Sequence, residues 1–121
     1  MREVASEADL KRVLSEASSE ARELGKLNLV QLHAPNGNEV SLVVGGDETV
    51  VGFRYGSGDP PYLASRGDST DDEPLLTAYV ALSHHTEFSR KWVVPSHLGE
   101  AAAVEFLRTG DLPRSISWVE V

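Results

Sequence analysis

The sequence predicts a single α+β domain over residues 1–121, in which an N-terminal and a C-terminal helix pack on an antiparallel meander sheet of about five or six strands. Three observations predict it. Apolar residues recur at helical spacing near both ends of the chain, they alternate in the manner of strands between the two, and short glycine- and asparagine-containing turns separate the runs. A chain of 121 residues, 40% of them hydrophobic, supports one core but not two.

The first helix is predicted between Ser6 and Gly25. Ser6 followed by Asp9 resembles a capping box, and Gly25 suits the left-handed backbone that commonly ends a helix. One apolar stripe with a three- and four-residue repeat runs between them and comprises Leu10, Val13, Leu14, Ala17, Ala21 and Leu24.

Three strand-like runs follow, over residues 28–33, 39–44 and 49–55. Asn36-Gly37 favours a tight hairpin between the first two, and Gly45-Gly46-Asp47 provides another short connection. Because such short reverse connections join only antiparallel strands, these runs predict a meander.

The remaining elements are shorter. The second helix is predicted to have Ser96 as its N-cap and to end at Gly110, with Phe106 on its apolar face. Trp118 is placed to seal an edge of the core. Further strands or extended segments are predicted at residues 62–65, 75–82, 91–94 and 115–119.

The charge balance of the chain indicates which classes of partner it favours. There are 19 Asp and Glu residues against 11 Lys and Arg residues, a formal net charge of −8. Such a surface repels phosphate backbones and anionic lipids, so we expect neither direct nucleic-acid binding nor membrane binding. A basic protein is the complementary partner. Solubility alone explains the same acidity equally well.

The chain lacks the residues that several kinds of chemistry require. The chain has no cysteine, which excludes disulfides and thiolate catalysis. Its first residues lack the basic and apolar character of a secretion signal, and the expected location is the cytoplasm. Adjacent His84 and His85 would point to opposite faces of a strand, so we expect no metal site there.

The acidic stretch, residues 59–73, is the candidate recognition surface. An acidic segment with an aromatic anchor suits a basic cleft, because carboxylates pair with Arg or Lys while the ring supplies packing area. A loop kept polar for solubility remains the alternative. The predicted partner-binding residues are Asp59, Tyr62, Asp68, Asp71, Asp72 and Glu73, with Arg66 as the one base among them.

The chain also resembles a known family. The resemblance is carried by Val93-Val94-Pro95, an alanine-rich helix ending in Phe106, Thr109-Gly110, Pro113 and Ile116-Ser117-Trp118. It is also carried by the strand Val50-Val51-Gly52-Phe53-Arg54-Tyr55 with Ser65 and Gly67 after it. In these features the chain resembles the first-numbered immunity family of bacterial polymorphic toxin systems, whose members often neutralise deaminase-type toxins.

The resemblance implies a meander sheet with its helices on one face, no cofactor, and inhibition by covering the toxin's catalytic pocket. The leading hypothesis is therefore an immunity protein rather than an enzyme, binding the basic catalytic domain of a cognate toxin in an oligomeric state that the sequence leaves open. Two alternatives stay open. One is a secretion-system adaptor or chaperone that binds a basic effector without inhibiting it, and the other is a small enzyme using His84, His85 or His97 with a carboxylate.

Overall fold

The computed structural model describes Val4 and residues 6–71, 73, 75–80 and 84–121, with only the backbone described for residues 80, 84 and 85. Within these residues helix α1 spans Glu7–Leu24, helix α2 spans Ser96–Thr109, and a 3-10 helix spans Arg90–Trp92. The strands in chain order are β1 Asn28–His33, β2 Glu39–Val44, β3 Glu48–Thr49, β4 Val51–Arg54, β5 Leu63–Ser65, β6 Leu76–Val80, β7 His84–Phe88, β8 Val94–Pro95 and β9 Trp118–Glu120.

Seven strands form one curled sheet in the order β7-β6-β1-β2-β4-β5-β9. The predicted antiparallel meander is confirmed for β1, β2 and β4. The expected five or six strands were slightly too few, because His84–Phe88 lacks the apolar alternation of a predictable strand yet pairs with β6. β6 also departs from the meander, since it joins β1 in parallel after the chain crosses to the other side of the sheet.

The third predicted strand, residues 49–55, is divided in two. Glu48–Thr49 leaves the large sheet and pairs with Val94–Pro95 in a separate two-stranded ladder. The buried Thr49 hydroxyl accepts a hydrogen bond from the Val43 N–H at 3.0 Å and donates one to the Val43 carbonyl at 2.8 Å. The Thr49 side chain thus supplements the backbone hydrogen bond from the Val43 N–H to the Val50 carbonyl at 3.3 Å, while the backbone of β3 pairs with β8.

The predicted strand at residues 91–94 is wrong for most of its length. Arg90–Trp92 forms a 3-10 helix, and only Val94 belongs to a strand. The predicted N-cap of α2 is also shifted, because Pro95 is the capping residue and Ser96 already lies in the helix. The Ser96 N–H donates to the carbonyl of Asp47 at 2.8 Å, so a backbone group outside the helix satisfies it.

The other helix ends match the sequence-based expectation. The Ser6 hydroxyl accepts a hydrogen bond from the Asp9 N–H at 3.2 Å, and Gly25 ends α1 in left-handed conformation. Gly110 ends α2 in the same way, with φ 69°. Neither α1 nor α2, the helices of the described residues, carries an apolar run that would span a lipid bilayer.

Both helices pack on one face of the sheet. Leu10 and Phe106, from α1 and α2, join alternate residues of β2 and β4 in the main apolar cluster. Phe53 lies at its centre and meets the rings of Phe106 and Trp118 edge to face, each at 6.2 Å between ring centroids. Trp118 is half-buried against this cluster, as expected of a residue that seals an edge.

A second apolar cluster covers part of the opposite face, where Val43, Leu76 and Val93 are buried. Neither α1 nor α2 contributes to this second cluster. On the same face the side chains of Gln31, His33 and Arg54 are exposed. Because the helices cover only one face, the other face is exposed at the end of the sheet formed by β4, β5 and β9. The candidate site lies at this end.

Candidate partner-binding surface

Strand β5 divides the acidic stretch. Asp59 and Tyr62 precede the strand, whereas Asp68, Asp71 and Glu73 follow it, and all five are exposed. Asp72 lies outside the described residues. Because the strand is extended, the two groups flank its opposite ends. We call Asp68, Asp71, Asp72 and Glu73 the distal acids.

β5 is held on both sides and at its end. It pairs antiparallel with β4 and with β9. The fully buried Ser65 hydroxyl accepts a hydrogen bond from the Val51 N–H at 3.0 Å and donates one to the Trp92 carbonyl at 2.7 Å. Gly67 continues this anchor, since its N–H donates to the Lys91 carbonyl at 2.7 Å.

Glycine is required at position 67 by space. A Cβ at Gly67 would overlap the carbonyl of Val93 and lie 2.9 Å from that of Lys91. Ser65 and Gly67, two of the residues that carry the family resemblance, are therefore explained by packing against the segment around the 3-10 helix. They position the acidic stretch and are not themselves a recognition surface.

Tyr62 is exposed but fixed. Its hydroxyl donates to the Gly58 carbonyl at 2.9 Å, and the Arg54 guanidinium lies over its ring at 5.4 Å from the centroid. Its backbone carbonyl accepts a hydrogen bond from the Val121 N–H at 2.8 Å. The ring is therefore held on one face by Arg54, at its hydroxyl by Gly58 and through its backbone by Val121.

The distal acids have a different environment. Asp71 lies in a small turn in which its N–H donates to the Ser69 hydroxyl at 3.1 Å, and that hydroxyl donates to the Asp71 carbonyl at 3.1 Å. The carboxylates of Asp68, Asp71 and Glu73 are exposed. They therefore project charge into solvent, as the sequence predicts for a hydrated loop.

The structure adds residues that the sequence reasoning missed. β4 ends, β5 begins and β9 ends at the same end of the sheet, as their antiparallel pairing requires. At this end Arg54 and Tyr62 share the face away from the helices, since the Arg54 guanidinium lies over the Tyr62 ring, and the register of β9 places the exposed Val121 opposite Tyr62. We call this surface the corner patch: Arg54, Tyr62 and Val121. Tyr55 packs on Phe53 and therefore lies on the other face, toward the helices. No local sequence signal links the parts of the corner patch, because only the strand register brings them together.

The histidines offer little chemistry in the part of the chain that is described. His33 and His97 are exposed and lie on different elements, β1 and α2. His84 and His85 begin β7, and their side chains are outside the described residues. Among the residues the structure does describe, no group of three or more His, Asp and Glu is arranged to hold a metal ion.

Two concavities lie away from the acidic stretch. One, of 480 Å³, runs between the helices and includes Glu7, His97 and Arg108. The Arg108 guanidinium donates to the Glu7 carboxylate at 2.7 Å, and this hydrogen bond lowers the pKa of Glu7. The other, of 820 Å³, lies beside the end of β1 and includes Leu32 and Phe106. The Glu7 carboxylate is thus engaged in joining the two helices.

Comparison with known proteins bears on the family of this chain. The family model of immunity protein Imm1 matches residues 1–120. A comparison with curated proteins finds no significant match. Because the family model covers almost the entire chain, including both helices, the sheet and the acidic stretch, this protein belongs to the Imm1 family of immunity proteins.

Proposed function

We propose that this immunity protein binds the catalytic domain of a cognate bacterial toxin and occludes its active site, and that the toxin is a deaminase acting on nucleic acid. The observation that carries the proposal is the set of exposed carboxylates on either side of β5, with Tyr62 fixed among them. Membership of an immunity family supports a toxin as the partner.

The expected toxin cleft and this protein carry opposite charges. An enzyme that acts on nucleic acid needs a positive cleft to hold the phosphate backbone. A protein with a net charge of −8 is attracted to such a cleft, and exposed carboxylates such as Asp59, Asp68 and Asp71 take the place of phosphates against its Lys and Arg side chains. Inhibition by this route needs no chemistry from the inhibitor.

The test uses the catalytic domain of the protein encoded next to this chain, which the proposal requires to be the toxin. We expect the two proteins to co-purify, and the deaminase activity of the toxin on nucleic acid to fall to background at one equivalent of immunity protein. Added nucleic acid should slow complex formation, because both ligands compete for one cleft. Absence of a complex at micromolar concentration contradicts the proposal.

The same assay separates inhibition from simple attachment. A secretion-system adaptor would form the complex and leave the toxin fully active. Full activity in a stoichiometric complex therefore contradicts occlusion, even where binding is tight.

A further inference from the structure

The tip of the hairpin between β1 and β2 is fastened to the end of α2. The side-chain amides of Asn36 and Asn38 both donate to the Gly110 carbonyl, at 3.0 Å and 2.8 Å. Asn38 is buried, and its side-chain oxygen accepts a hydrogen bond from the Gly56 N–H at 2.8 Å. We call this set of hydrogen bonds the hairpin clamp. It joins three segments that are distant in sequence.

The geometry of the clamp calls for an asparagine followed by a glycine. Gly37 has φ 89°, a left-handed conformation, and a Cβ at this position would lie 3.1 Å from the Cα of Gly56. The side-chain oxygen of Asn36 accepts a hydrogen bond from the Asn38 N–H at 3.0 Å, while its nitrogen donates to Gly110. A short side chain with one acceptor oxygen and one donor nitrogen meets both needs.

An Asn-Gly pair is chemically labile. The backbone nitrogen of Gly37, on losing its proton, attacks the side-chain carbonyl carbon of Asn36. A bond forms between these two atoms, the bond from Cγ to Nδ2 breaks, and Nδ2 leaves as ammonia with the proton. Water then opens the five-membered imide to aspartate or to its β-linked isomer. Glycine favours the attack because it has no side chain to hinder it, and Asn36 is exposed to water and base.

The folded structure restrains the reacting groups. The Gly37 N–H, which is the nucleophile, donates to the Ala34 carbonyl at 2.9 Å. Both polar atoms of the Asn36 side chain are held by the clamp. Ring closure therefore requires several hydrogen bonds to open together, and it proceeds from an opened hairpin whose population is small.

Conversion of Asn36 to aspartate would weaken the clamp. A carboxylate has no hydrogen to donate, so one of its oxygens would face the Gly110 carbonyl oxygen without a bond. This position also lies at the C-terminal end of α2, where the helix dipole disfavours a negative charge. The loss of one amide and the gain of a charge act in the same direction.

We propose that Asn36 is a site of spontaneous hydrolytic deamidation, that the hairpin clamp suppresses the reaction in the folded protein, and that conversion to aspartate releases the hairpin tip from α2. The fold thus keeps a labile pair because its turn and its clamp need both residues. A chain whose hairpin stays open is altered irreversibly at this position.

Mass spectrometry of peptides from the full chain tests the first part. The protein is incubated at mildly alkaline pH, either folded in buffer or denatured in guanidinium chloride. We expect Asn36 to react at least about tenfold more slowly in the folded chain, because two or more hydrogen bonds must open first. Asn28 and Asn38 precede the larger residues Leu29 and Glu39, so they are internal controls that should react far more slowly when denatured. Equal rates for Asn36 in the two states would overturn the proposal.

Two variants test the clamp itself. Asn38→Ala removes one amide from Gly110 and should raise the rate at Asn36 in the folded protein toward that of the denatured chain, whereas an unchanged rate would count against protection by the clamp. Asn36→Asp should lower the melting temperature by about 3–5 °C. Gln31→Glu, the same change from amide to acid at another exposed position, should shift it by less than about 1 °C. A melting temperature of Asn36→Asp equal to that of wild type would refute release of the hairpin, and this measurement decides even where Asn38→Ala does not fold.

Discussion

At the scale of single residues, Ser65 shows how a small polar side chain joins elements that are distant in sequence. Its hydroxyl is completely buried and connects the Val51 N–H of β4 to the Trp92 carbonyl of the 3-10 helix. A buried backbone donor or acceptor without a partner is costly. Ser65 therefore anchors β5, and β5 in turn positions the acidic stretch on either side of it.

We predict that Ser65→Ala lowers the free energy of unfolding by about 2–3 kcal/mol, because it leaves both backbone groups buried and unsatisfied. Ser57→Ala is the matched control at an exposed site, and its expected effect is below about 0.5 kcal/mol. Urea denaturation of the two variants provides the measurement. Equal midpoints for them would show that water or another group replaces the Ser65 hydroxyl.

Trp118 combines packing with one hydrogen bond. Its indole N–H donates to the Pro113 carbonyl at 2.8 Å, and its ring packs against Phe53. We predict that Trp118→Ala costs about 2–3 kcal/mol of stability, below the full value for a wholly buried tryptophan because the ring is half-buried. Trp118→Phe keeps most of the ring contact and should cost about 1 kcal/mol. Thermal unfolding that does not distinguish Trp118→Ala from wild type contradicts this account.

At the scale of elements, Glu105 fastens the end of the chain to α2. Its carboxylate accepts hydrogen bonds from the Arg114 N–H at 2.6 Å and from the Ser115 N–H at 3.0 Å. The hydrogen bond from the backbone of Arg114 is the main reason that the pKa of Glu105 lies below its ordinary value of 4.5. This contact turns the chain after α2 toward β9, the strand that borders the corner patch.

The lowered pKa gives this contact a defined pH dependence. An acid whose pKa falls on folding stabilises the protein above its unfolded pKa, and the contribution disappears as pH falls through the folded value. We predict that Glu105→Gln costs about 1 kcal/mol at pH 7 and that the difference from wild type shrinks as the pH falls below 4.5. Glu100→Gln, on the exposed side of the same helix, should change stability little. A penalty that is independent of pH would contradict the role of the charge.

At the scale of the whole molecule, the net charge of −8 sets how the protein meets its partner. Two effects of charge on the association rate need to be distinguished. A global effect depends only on net charge, whereas steering depends on where the carboxylates lie relative to the docking surface. The distal acids follow β5 directly, whereas the carboxylates of Glu16, Glu20 and Glu23 lie on α1.

We predict that reversing Asp71, Asp72 and Glu73 to lysine slows association with the toxin at least about tenfold at low salt, with little effect on folding. The difference should shrink as salt is raised, because exposed charges are screened. Reversal of Glu16, Glu20 and Glu23 changes net charge by the same amount and should slow association less. Stopped-flow mixing at several salt concentrations gives the association rates of both triple variants. Equal slowing by the two triple variants would indicate a global charge effect without local steering.

The sequence determined the parts of this protein that depend on local patterns. The stripe and caps of α1, the hairpin from β1 to β2 and the end of α2 at Gly110 follow from residue spacing and turn chemistry. The family resemblance has the same origin, since it rests on short local runs such as Val93-Val94-Pro95 and Ile116-Ser117-Trp118. The acidity that favours a basic partner is a matter of composition alone.

Only the tertiary structure decided which residues share a surface. The parallel pairing of β6 with β1, the strand β7, and the division of residues 49–55 into two ladders all depend on partners distant in sequence. The corner patch has the same origin, because Arg54 meets Tyr62 through the pairing of β4 with β5, and Val121 reaches it through β9. Local preferences act over a few residues, whereas a binding surface is set by long-range register, to which those preferences are blind.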